Sequence, residues 1–531
     1  DAAIAADPDR SAAGDALRCR LRVQLAVALF WSPEIERRGR LVEEAFVLAR
    51  AIFTGEAARG SRAQRMLADR TLAFVLAQGF PAIWGPDTAE RGLPISVEVL
   101  ELCERTNDPE LAMQVRLWRI NLLIELNDPV RADTEIEAYG ASARRLAQPR
   151  TLIYAPLFRA YRAMMLGEFA AAERFVAEAI ELPHGVAGTM AQLISDWQLF
   201  FIRRAQGRHL GDIAFLRGYA DRFPLLRRWR IMLLLVLAET GERAEPRAGL
   251  DELAAEDFDD FARDATWLFA MSLLAELCTI LEDGPRARRL YELLAPFEGR
   301  NAISVGAAYL GPVARYLGLL AMTIGADERA LGHLGTARSA AERMGARPMV
   351  VLTTLDAAEV LVRRGEPGDA DRAATLVGRA GTEAQRLRMD GAIARVADLR
   401  RRLPPTGAGE LDGARARLVR EGDIWLLDHR GRRVWLQDAK GMRHLAALLA
   451  RPGESISALA LADDGERSGD GGIAAAERAR LNVTRALRAA LAKLAKHDPA
   501  LGGLLEARIR TGGSCTYVPD PDIPLEWDVE Q

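Results

Sequence analysis

The chain has 531 residues, of which 49% are hydrophobic and 27% are charged, and its formal net charge is -3. This composition is typical of a soluble globular protein, and the length predicts two to four domains. The longest apolar run, residues 231–238, is far shorter than the roughly 18 residues that span a bilayer. The four cysteines lie far apart without a CxxC pair, which argues against a disulfide framework or a zinc site and favours a cytoplasmic location.

Helical periodicity runs from about Leu17 to Leu403, and short turns with Gly, Asp or Asn separate segments of helical length. One pattern recurs in these segments: a small residue, a larger apolar residue four positions later, and a further apolar residue seven positions later. Ala287, Ala330 and Ala373 occupy the small position at intervals of 43 residues, another copy begins at Ala172, and a weaker copy begins at Ala132. Such periodicity is typical of helix pairs that stack because one pair cannot bury its apolar face alone.

We therefore predict a mainly α chain in which residues 1–403 form a tetratricopeptide-like α-solenoid. A helical bundle without repeats is the alternative. The histidines are scattered, and the chain lacks HExxH, GxSxG and metal-spaced His/Cys patterns, so we expect no catalytic residues, no metal and no cofactor. Tryptophans on the predicted helices are expected to be core residues, although the concave face of a solenoid commonly binds a peptide or small effector.

The helical pattern stops at a segment rich in proline and glycine, and we predict a linker at 404–416, a small α+β domain at 417–522 and a tail at 523–531. Residues 423–438 predict a β-hairpin in which Trp425 and Leu427 alternate on one strand. Two helices are expected next, the first ending before Pro452. An acidic loop follows at 463–472.

Positive charge is concentrated in the last part of the chain. Residues 478–510 contain eight Lys or Arg against two acids, and two of the three lysines of the chain lie there. On a helix from Glu477 to Lys496, Val483 and Leu487 fall on one face and the cations fall on the other. Residues 507–520 have no helical pattern and predict two short strands that meet at Gly512 and Gly513, directly after the basic helix.

This order of strands, helices, basic helix and hairpin resembles the winged helix-turn-helix of OmpR/PhoB-type response regulators. The segment RIRTGGSCTYVP is similar to the Arg-Thr-x-x-Gly-x-x-Tyr wing of that family, with a longer spacing between Gly513 and Tyr517. The resemblance implies that the third helix enters the major groove and that the wing touches the DNA backbone. Arginine can bond guanine, and asparagine can bond adenine, through two acceptors at once.

The candidate base readers are therefore Arg485, Arg488 and Asn482. The candidate phosphate contacts are basic or belong to the wing motif, and they are Arg478, Arg480, Lys493, Lys496, Arg508, Arg510 and Thr511. A basic amphipathic helix can instead be a solvated face or a site for an acidic partner.

The segments 73–108, 261–300 and 299–348 resemble the repeat half of large bacterial signal-transduction ATPases of the maltose-regulator and AfsR-like classes. Some of these proteins end in a segment similar to residues 415–531. The resemblance implies an upstream module such as a P-loop ATPase, since this chain has no GxxxxGK[ST] motif and no lysine before Lys440. The opening residues, DAAIAADPDR, have neither an initiator Met nor a secretory pattern, which agrees with a missing N-terminal part.

Two functions follow as hypotheses. The first is a transcription regulator that is not itself an enzyme, in which the solenoid senses a protein or small effector and the winged helix binds DNA. The second is a protein-interaction scaffold whose winged helix docks protein instead of DNA. We expect no membrane partner in either case.

Overall fold

The computed structural model describes residues 11–29, 34–55, 59–182, 188–208, 212–223, 226–403, 415–429, 432–462, 473–519 and 525–530. The chain forms two compact units, Asp1–Leu403 and Pro404–Gln531, each with its own hydrophobic core. We refer to them as the N-terminal unit and the C-terminal unit. Most of the predicted linker and the predicted acidic loop lie outside the described residues.

Helices make up most of the N-terminal unit. In the described ranges they are α1 (Ala12–Ala28), α2 (Ile35–Thr54), α3 (Arg62–Ile83), α4 (Ala89–Thr106), α5 (Pro109–Glu125), α6 (Pro129–Leu146), α7 (Pro149–Leu152), α8 (Tyr154–Leu166), α9 (Phe169–Glu181), α10 (Gly188–Ala205), α11 (Ile213–Arg222), α12 (Arg227–Glu239), α13 (Ala244–Leu253), α14 (Trp267–Leu281), α15 (Gly284–Leu294), α16 (Val313–Thr323), α17 (Asp327–Arg343), α18 (Arg347–Arg364), α19 (Asp369–Leu387) and α20 (Asp390–Arg402). A 3-10 turn, Ala295–Phe297, follows α15.

The sequence marks several of these helix starts by an aspartate followed closely by proline. The side chains of Asp108, Asp128 and Asp283 each accept a hydrogen bond from the backbone N–H three residues later, at 3.0 to 3.1 Å. Proline is tolerated in the first turn because the backbone N–H groups of that turn have no carbonyl acceptor inside the helix. The missing N–H of proline therefore removes no helical hydrogen bond. At the other end, Gly167 terminates α8 with a φ of 80°, a left-handed conformation that glycine adopts without strain.

The repeated small residues lie where helices cross. Ala287, Ala330 and Ala373 are on α15, α17 and α19, and all three are fully buried. Each of these helices packs against the helices before and after it, so the pattern continues through α20. A Cβ added at Gly318 of α16 would lie 2.6 Å from Leu334 Cγ, which shows how closely α16 and α17 approach. The prediction of a mainly α, tandem-repeat unit is confirmed, while its assignment to the tetratricopeptide family stays a prediction.

A β-hairpin interrupts the helical array, and the sequence analysis missed it. Strands β1 (Asn301–Ser304) and β2 (Ala308–Pro312) pair antiparallel between α15 and α16. Alternation of polar and apolar residues reveals a strand when one face meets water. Here nearly every residue of both strands is buried, so the segment gives no such alternation.

The hairpin joins parts of the N-terminal unit that are far apart in sequence. Asn301 Nδ2 donates to Ile124 O at 2.8 Å, and Gly306 N donates to Asn121 Oδ1 at 2.7 Å. Tyr161 Oη donates to Ala308 O at 3.2 Å. An open solenoid has contacts between neighbouring repeats only. In this unit, by contrast, the hairpin is buried and bonds helices that are not its neighbours in sequence.

The C-terminal unit contains strands and helices in the described ranges as follows: β3 (Arg415–Glu421), β4 (Ile424–His429), β5 (Arg432–Gln437), α21 (Lys440–Leu449), β6 (Ile456–Ser457), α22 (Ala458–Ala462), α23 (Ile473–His497), α24 (Pro499–Arg508), β7 (Ile509–Arg510), β8 (Ser514–Tyr517) and β9 (Glu526–Glu530). One sheet has the order β5-β4-β3-β9, and another has the order β6-β8-β7. Trp425, Leu436, Met442 and Leu487 belong to the core between these elements.

The predicted hairpin is confirmed, with Trp425 opposite Leu436 and Leu427 opposite Val434. Two other expectations were wrong. The predicted tail contains β9, which pairs parallel with β3, so residues 526–530 are part of the sheet. Helix α24 stands between the basic helix and the β7–β8 hairpin, where no helix was expected.

Helix α24 escaped prediction because its sequence, PALGGLLEAR, contains two glycines, which are poor helix formers. Tertiary contacts explain where this helix begins and why one of its positions requires glycine. Asp498 Oδ1 accepts from Leu501 N at 2.9 Å and caps the helix. A Cβ at Gly502 would lie 2.5 Å from Ala495 Cα, so close packing against α23 requires a residue without a side chain at this position.

Candidate nucleic-acid interface

The basic helix α23 separates apolar and polar residues onto two faces, as its sequence predicts. Its buried residues include Val483, Leu487, Ala490, Leu491 and Leu494, and these join the core of the C-terminal unit. Its exposed residues include the predicted contacts Arg478, Asn482, Arg485, Arg488, Lys493 and Lys496. Successive residues turn by 100° in a helix, so Asn482, Arg485 and Lys496 share one stripe and Arg488 lies on its flank.

Most of these cations are not neutralised within the described chain. Arg485, Arg488, Lys493 and Lys496 have no carboxylate partner among the described residues. A guanidinium or ammonium group attracts an external anion most strongly when no nearby carboxylate offsets its positive charge. The four side chains thus form the strongest positive feature of this helix, and we call them the basic stripe.

Arg480 differs from the basic stripe. It is half-buried, and its Nε lies 3.0 and 2.9 Å from the two carboxylate oxygens of Glu477. That hydrogen bond raises the pKa of Arg480 and lowers the pKa of Glu477. Because Glu477 already compensates its charge, Arg480 is a weaker candidate for a phosphate contact than its neighbours.

The predicted wing is a short hairpin held at its base. Arg510 of β7 lies opposite Thr516 of β8, and Ile509 lies opposite Tyr517. Tyr517 and Cys515 are fully buried, which fixes β8 in the core. Arg510 is exposed and Thr511 is half-buried at the turn. This arrangement presents one cation at the end of a rigid strand.

The remaining candidate, Arg508, lies elsewhere than predicted. It is half-buried at the end of α24, one helix away from the basic stripe. The structure thus divides the predicted contacts among α23, the end of α24 and the hairpin. The observed order differs from the predicted one by helix α24, which stands between α23 and the hairpin.

A buried histidine–aspartate contact that sequence reasoning missed positions the inserted helix. His429 Nδ1 lies 3.0 Å from Asp498 Oδ2, and both side chains are nearly inaccessible. Asp498 also caps α24 through its other oxygen. The Asp-Pro pair at 498–499 is the sequence signal that could have revealed this start of a helix.

The N-terminal unit contains a second candidate site, a cavity of about 810 Å³. Tyr309 and Leu310 of the hairpin form part of its wall, together with side chains of α8, α10, α14, α16, α18 and α20. The helical tryptophans Trp118, Trp197, Trp229 and Trp267 are buried in the core, as expected. The cavity is thus a feature of this unit suited to a ligand, whereas these four tryptophans are not exposed to one.

The described ranges have neither a cluster of metal ligands nor a helix that could cross a membrane. They contain no group of three or more His, Cys, Asp or Glu side chains placed to hold a metal ion. Within the same ranges, every helix is too short or too polar to cross a membrane.

Comparison with known proteins places the chain in no family. No protein-family model matches it, and no curated protein matches it. Among solved structures it is similar to a "circular tandem repeat protein with novel repeat topology and enhanced subunit contact surfaces". That match has 15% sequence identity, covers 74% of this chain and 96% of the other, and has a TM-score of 0.17, which is too low to support an argument. The chain is a helical tandem-repeat protein with small C-terminal sheets.

Proposed function

We propose that this protein is a bacterial transcription regulator whose C-terminal unit binds DNA and whose N-terminal unit senses an effector. The observation that carries the proposal is the basic stripe, Arg485, Arg488, Lys493 and Lys496, exposed on a helix whose other face is anchored in the core. A rigid helix that presents several uncompensated cations suits the phosphate backbone of DNA. Arg485 and Asn482 are one turn apart, which is the spacing of side chains that reach neighbouring bases.

The hairpin β7–β8 supports the same proposal. Arg510 lies on β7, which pairs with β8, and the buried Cys515 and Tyr517 hold β8 in the core, so the backbone position of Arg510 is fixed. A phosphate contact from such a strand would orient the domain without reading sequence. The inserted helix α24 lengthens the connection between the two elements but leaves both on the C-terminal unit.

A second function, a scaffold whose C-terminal unit docks protein, has one observation in its favour. Trp435 of β5 is 61% exposed, and it lies opposite Leu426 of β4, which lies opposite Val419 of β3. These three side chains form an apolar row on the outer face of the sheet. An exposed tryptophan beside other apolar groups is typical of protein interfaces.

Fluorescence anisotropy of the full chain with a labelled random duplex, at 50 and 200 mM salt, tests the proposal. We expect affinity to fall by at least tenfold between the two salt concentrations, because each phosphate contact releases counterions. The double variant Arg485→Ala/Arg488→Ala should weaken binding by about tenfold or more and reduce the salt dependence.

The matched control is Arg144→Ala/Arg145→Ala, which removes the same charge from exposed positions of α6. It should bind DNA as the parent does. Absence of binding at 50 mM salt, or an equal loss in both double variants, would refute the DNA-binding function. The scaffold hypothesis would then be tested with Trp435→Ala in a search for protein partners.

A further inference from the structure

The cavity of the N-terminal unit has the size of a small-molecule site. Its volume of about 810 Å³ lies within the range of roughly 300 to 1,000 Å³ found for such sites. Helices from α8 to α20 contribute to its wall, so side chains far apart in sequence meet there. Beside it, Asp390 N at the start of α20 donates at 3.1 Å to the backbone oxygen of Gln206, the residue after α10. Sites enclosed by such distant segments are largely pre-formed.

One part of the wall is apolar and adaptable. Four methionines line it, Met164, Met165, Met322 and Met349, with Phe201 and Leu352 nearby. Methionine side chains are unbranched and polarizable, so they repack around ligands of different shape. This part of the cavity suits the apolar portion of a ligand and does not require one particular shape.

The other part of the wall is a chain of alternating charges. Arg204 donates to Glu239 and Glu276 at 2.6 and 2.7 Å, and Arg315 donates to Glu276 and Asp356 at 2.7 Å each. Arg395 continues the chain to Asp356 at 2.6 Å. Burial lowers the pKa of Arg315, but Asp356 and Glu276 outweigh it and the pKa is raised. Burial likewise raises the pKa of Asp356, but Arg315 and Arg395 reverse the shift and keep this carboxylate charged.

The charges on the wall do not cancel. Three arginines face three carboxylates in the chain of ion pairs, and Arg243 adds a fourth arginine. Arg243 donates only to the backbone oxygens of Ala238 and Glu242, at 2.9 and 3.0 Å, and has no carboxylate partner in the described ranges. Arg204 Nε is buried without a hydrogen-bond acceptor in those ranges. Within the described ranges, the wall thus has arginine N–H groups that are not bonded to a carboxylate. Each carboxylate of the wall, by contrast, already accepts from an arginine.

We infer that this cavity binds a small monoanionic amphiphile, a carboxylate with an apolar body, and that Arg243 contributes to recognition of the anionic group. A cationic ligand would have to displace an arginine from a carboxylate. A neutral ligand would offer the buried Nε of Arg204 and the guanidinium of Arg243 a weaker acceptor than an anion does. An anion meets unused donors, and its apolar part meets the methionines.

This inference extends the proposed function, because the amphiphile would be the effector of the regulator. Binding to the cavity is measured without DNA, so failure of one proposal leaves the other standing. The ligand would also touch Tyr309 and Leu310, which belong to the hairpin that bonds α5 and α8. Occupancy of the cavity would therefore stabilise the whole N-terminal unit.

Calorimetric titration of the full chain with chemically matched ligands tests the inference. The anions are decanoate and 4-phenylbutyrate, the neutral partners are their primary amides, and the cation is decylammonium. We expect at least one anion to bind, and to bind at least tenfold more tightly than its own amide and than decylammonium. Failure of both anions to bind, or equal binding of an anion and its amide, would overturn the inference.

Two variants locate the binding. Arg243→Gln should weaken binding of the anion by about five- to twentyfold and leave the amide unchanged. Because Arg243 is exposed, this change does not threaten the fold. Leu352→Trp places a bulkier side chain in the cavity wall and should weaken binding of anion and amide alike. The control Arg144→Gln, on α6 and outside the cavity wall, should bind as the parent does. An unchanged anion affinity in both cavity variants would place binding elsewhere and refute the inference.

Discussion

The two units use the same residue type, arginine, in opposite ways. In the N-terminal unit, Arg204 and Arg315 are inside the fold, each bonded to two carboxylates. In the C-terminal unit, Arg485 and Arg488 face solvent and have no carboxylate partner in the part of the chain that the structure describes. A net charge of -3 hides this difference, because paired and unpaired arginines count equally in a sum. The functional character of an arginine thus depends on which carboxylates the fold brings to it.

The largest expected effect comes from breaking the buried ion pairs. Replacing Arg315 by leucine leaves Glu276 and Asp356 buried with one partner fewer, and we expect a loss of about 3 to 5 kcal/mol in unfolding free energy. Arg485→Leu should change it by less than about 0.5 kcal/mol, because the side chain is exposed and unpaired. Urea unfolding monitored by circular dichroism measures both. Similar losses in the two variants would erase the distinction between the units.

The next effect concerns pH and Glu125, a buried carboxyl that bonds Trp84 Nε1 at 3.0 Å and Arg300 Nη1 at 3.1 Å. Burial raises the pKa of Glu125 to about 7, although Arg300 and Trp84 lower it. Between its ordinary pKa near 4.5 and about 7, the folded state therefore binds more protons than the unfolded state. Stability should fall as pH rises through this window, by on the order of 3 kcal/mol in total.

The variant Glu125→Gln cannot titrate at this position, so its stability should fall less than that of the parent between pH 5 and pH 8. The control is Glu90→Gln, which removes an exposed carboxylate that contacts the same arginine, Arg300, at 3.0 Å. It should keep the pH dependence of the parent. Thermal unfolding at a series of pH values gives the comparison, and parallel curves for Glu125→Gln and the parent would contradict the raised pKa.

The smallest expected effect is in the C-terminal unit. Asp498→Ala removes the cap of α24 and the partner of His429, and should cost about 1 to 2 kcal/mol in unfolding free energy. Asp498→Asn keeps an oxygen that can cap the helix and should cost less. Both variants leave the basic stripe in place, so DNA binding at saturating protein should persist. Hydrogen exchange at Leu501 N reports the cap directly, and unchanged protection in Asp498→Ala would exclude this role.

The sequence was informative where one face of an element meets water. The faces of α23 and the alternation in β4 are set by contact with solvent on one side only, and both were predictable. The hairpin Asn301–Pro312 and the helix Pro499–Arg508 were not, because burial on both sides or glycine at a close approach removes the periodic signal. The cavity wall brings together residues such as Arg204 and Arg395 that are almost two hundred positions apart, and no local pattern encodes this arrangement.

The central hairpin has a consequence for how the chain is made. The side-chain oxygen of Asn121 accepts a hydrogen bond from Gly306 N, and Gly306 is synthesised 185 residues after Asn121. At a synthesis rate of about 5 to 20 residues per second, that interval lasts roughly 10 to 40 s. Helical repeats with local contacts can fold as they leave the ribosome, whereas α5 and α8 must remain incomplete until the hairpin arrives. Exposure to chaperones and proteases during this delay is thus a consequence of bonding α5 and α8 through a hairpin that is made much later.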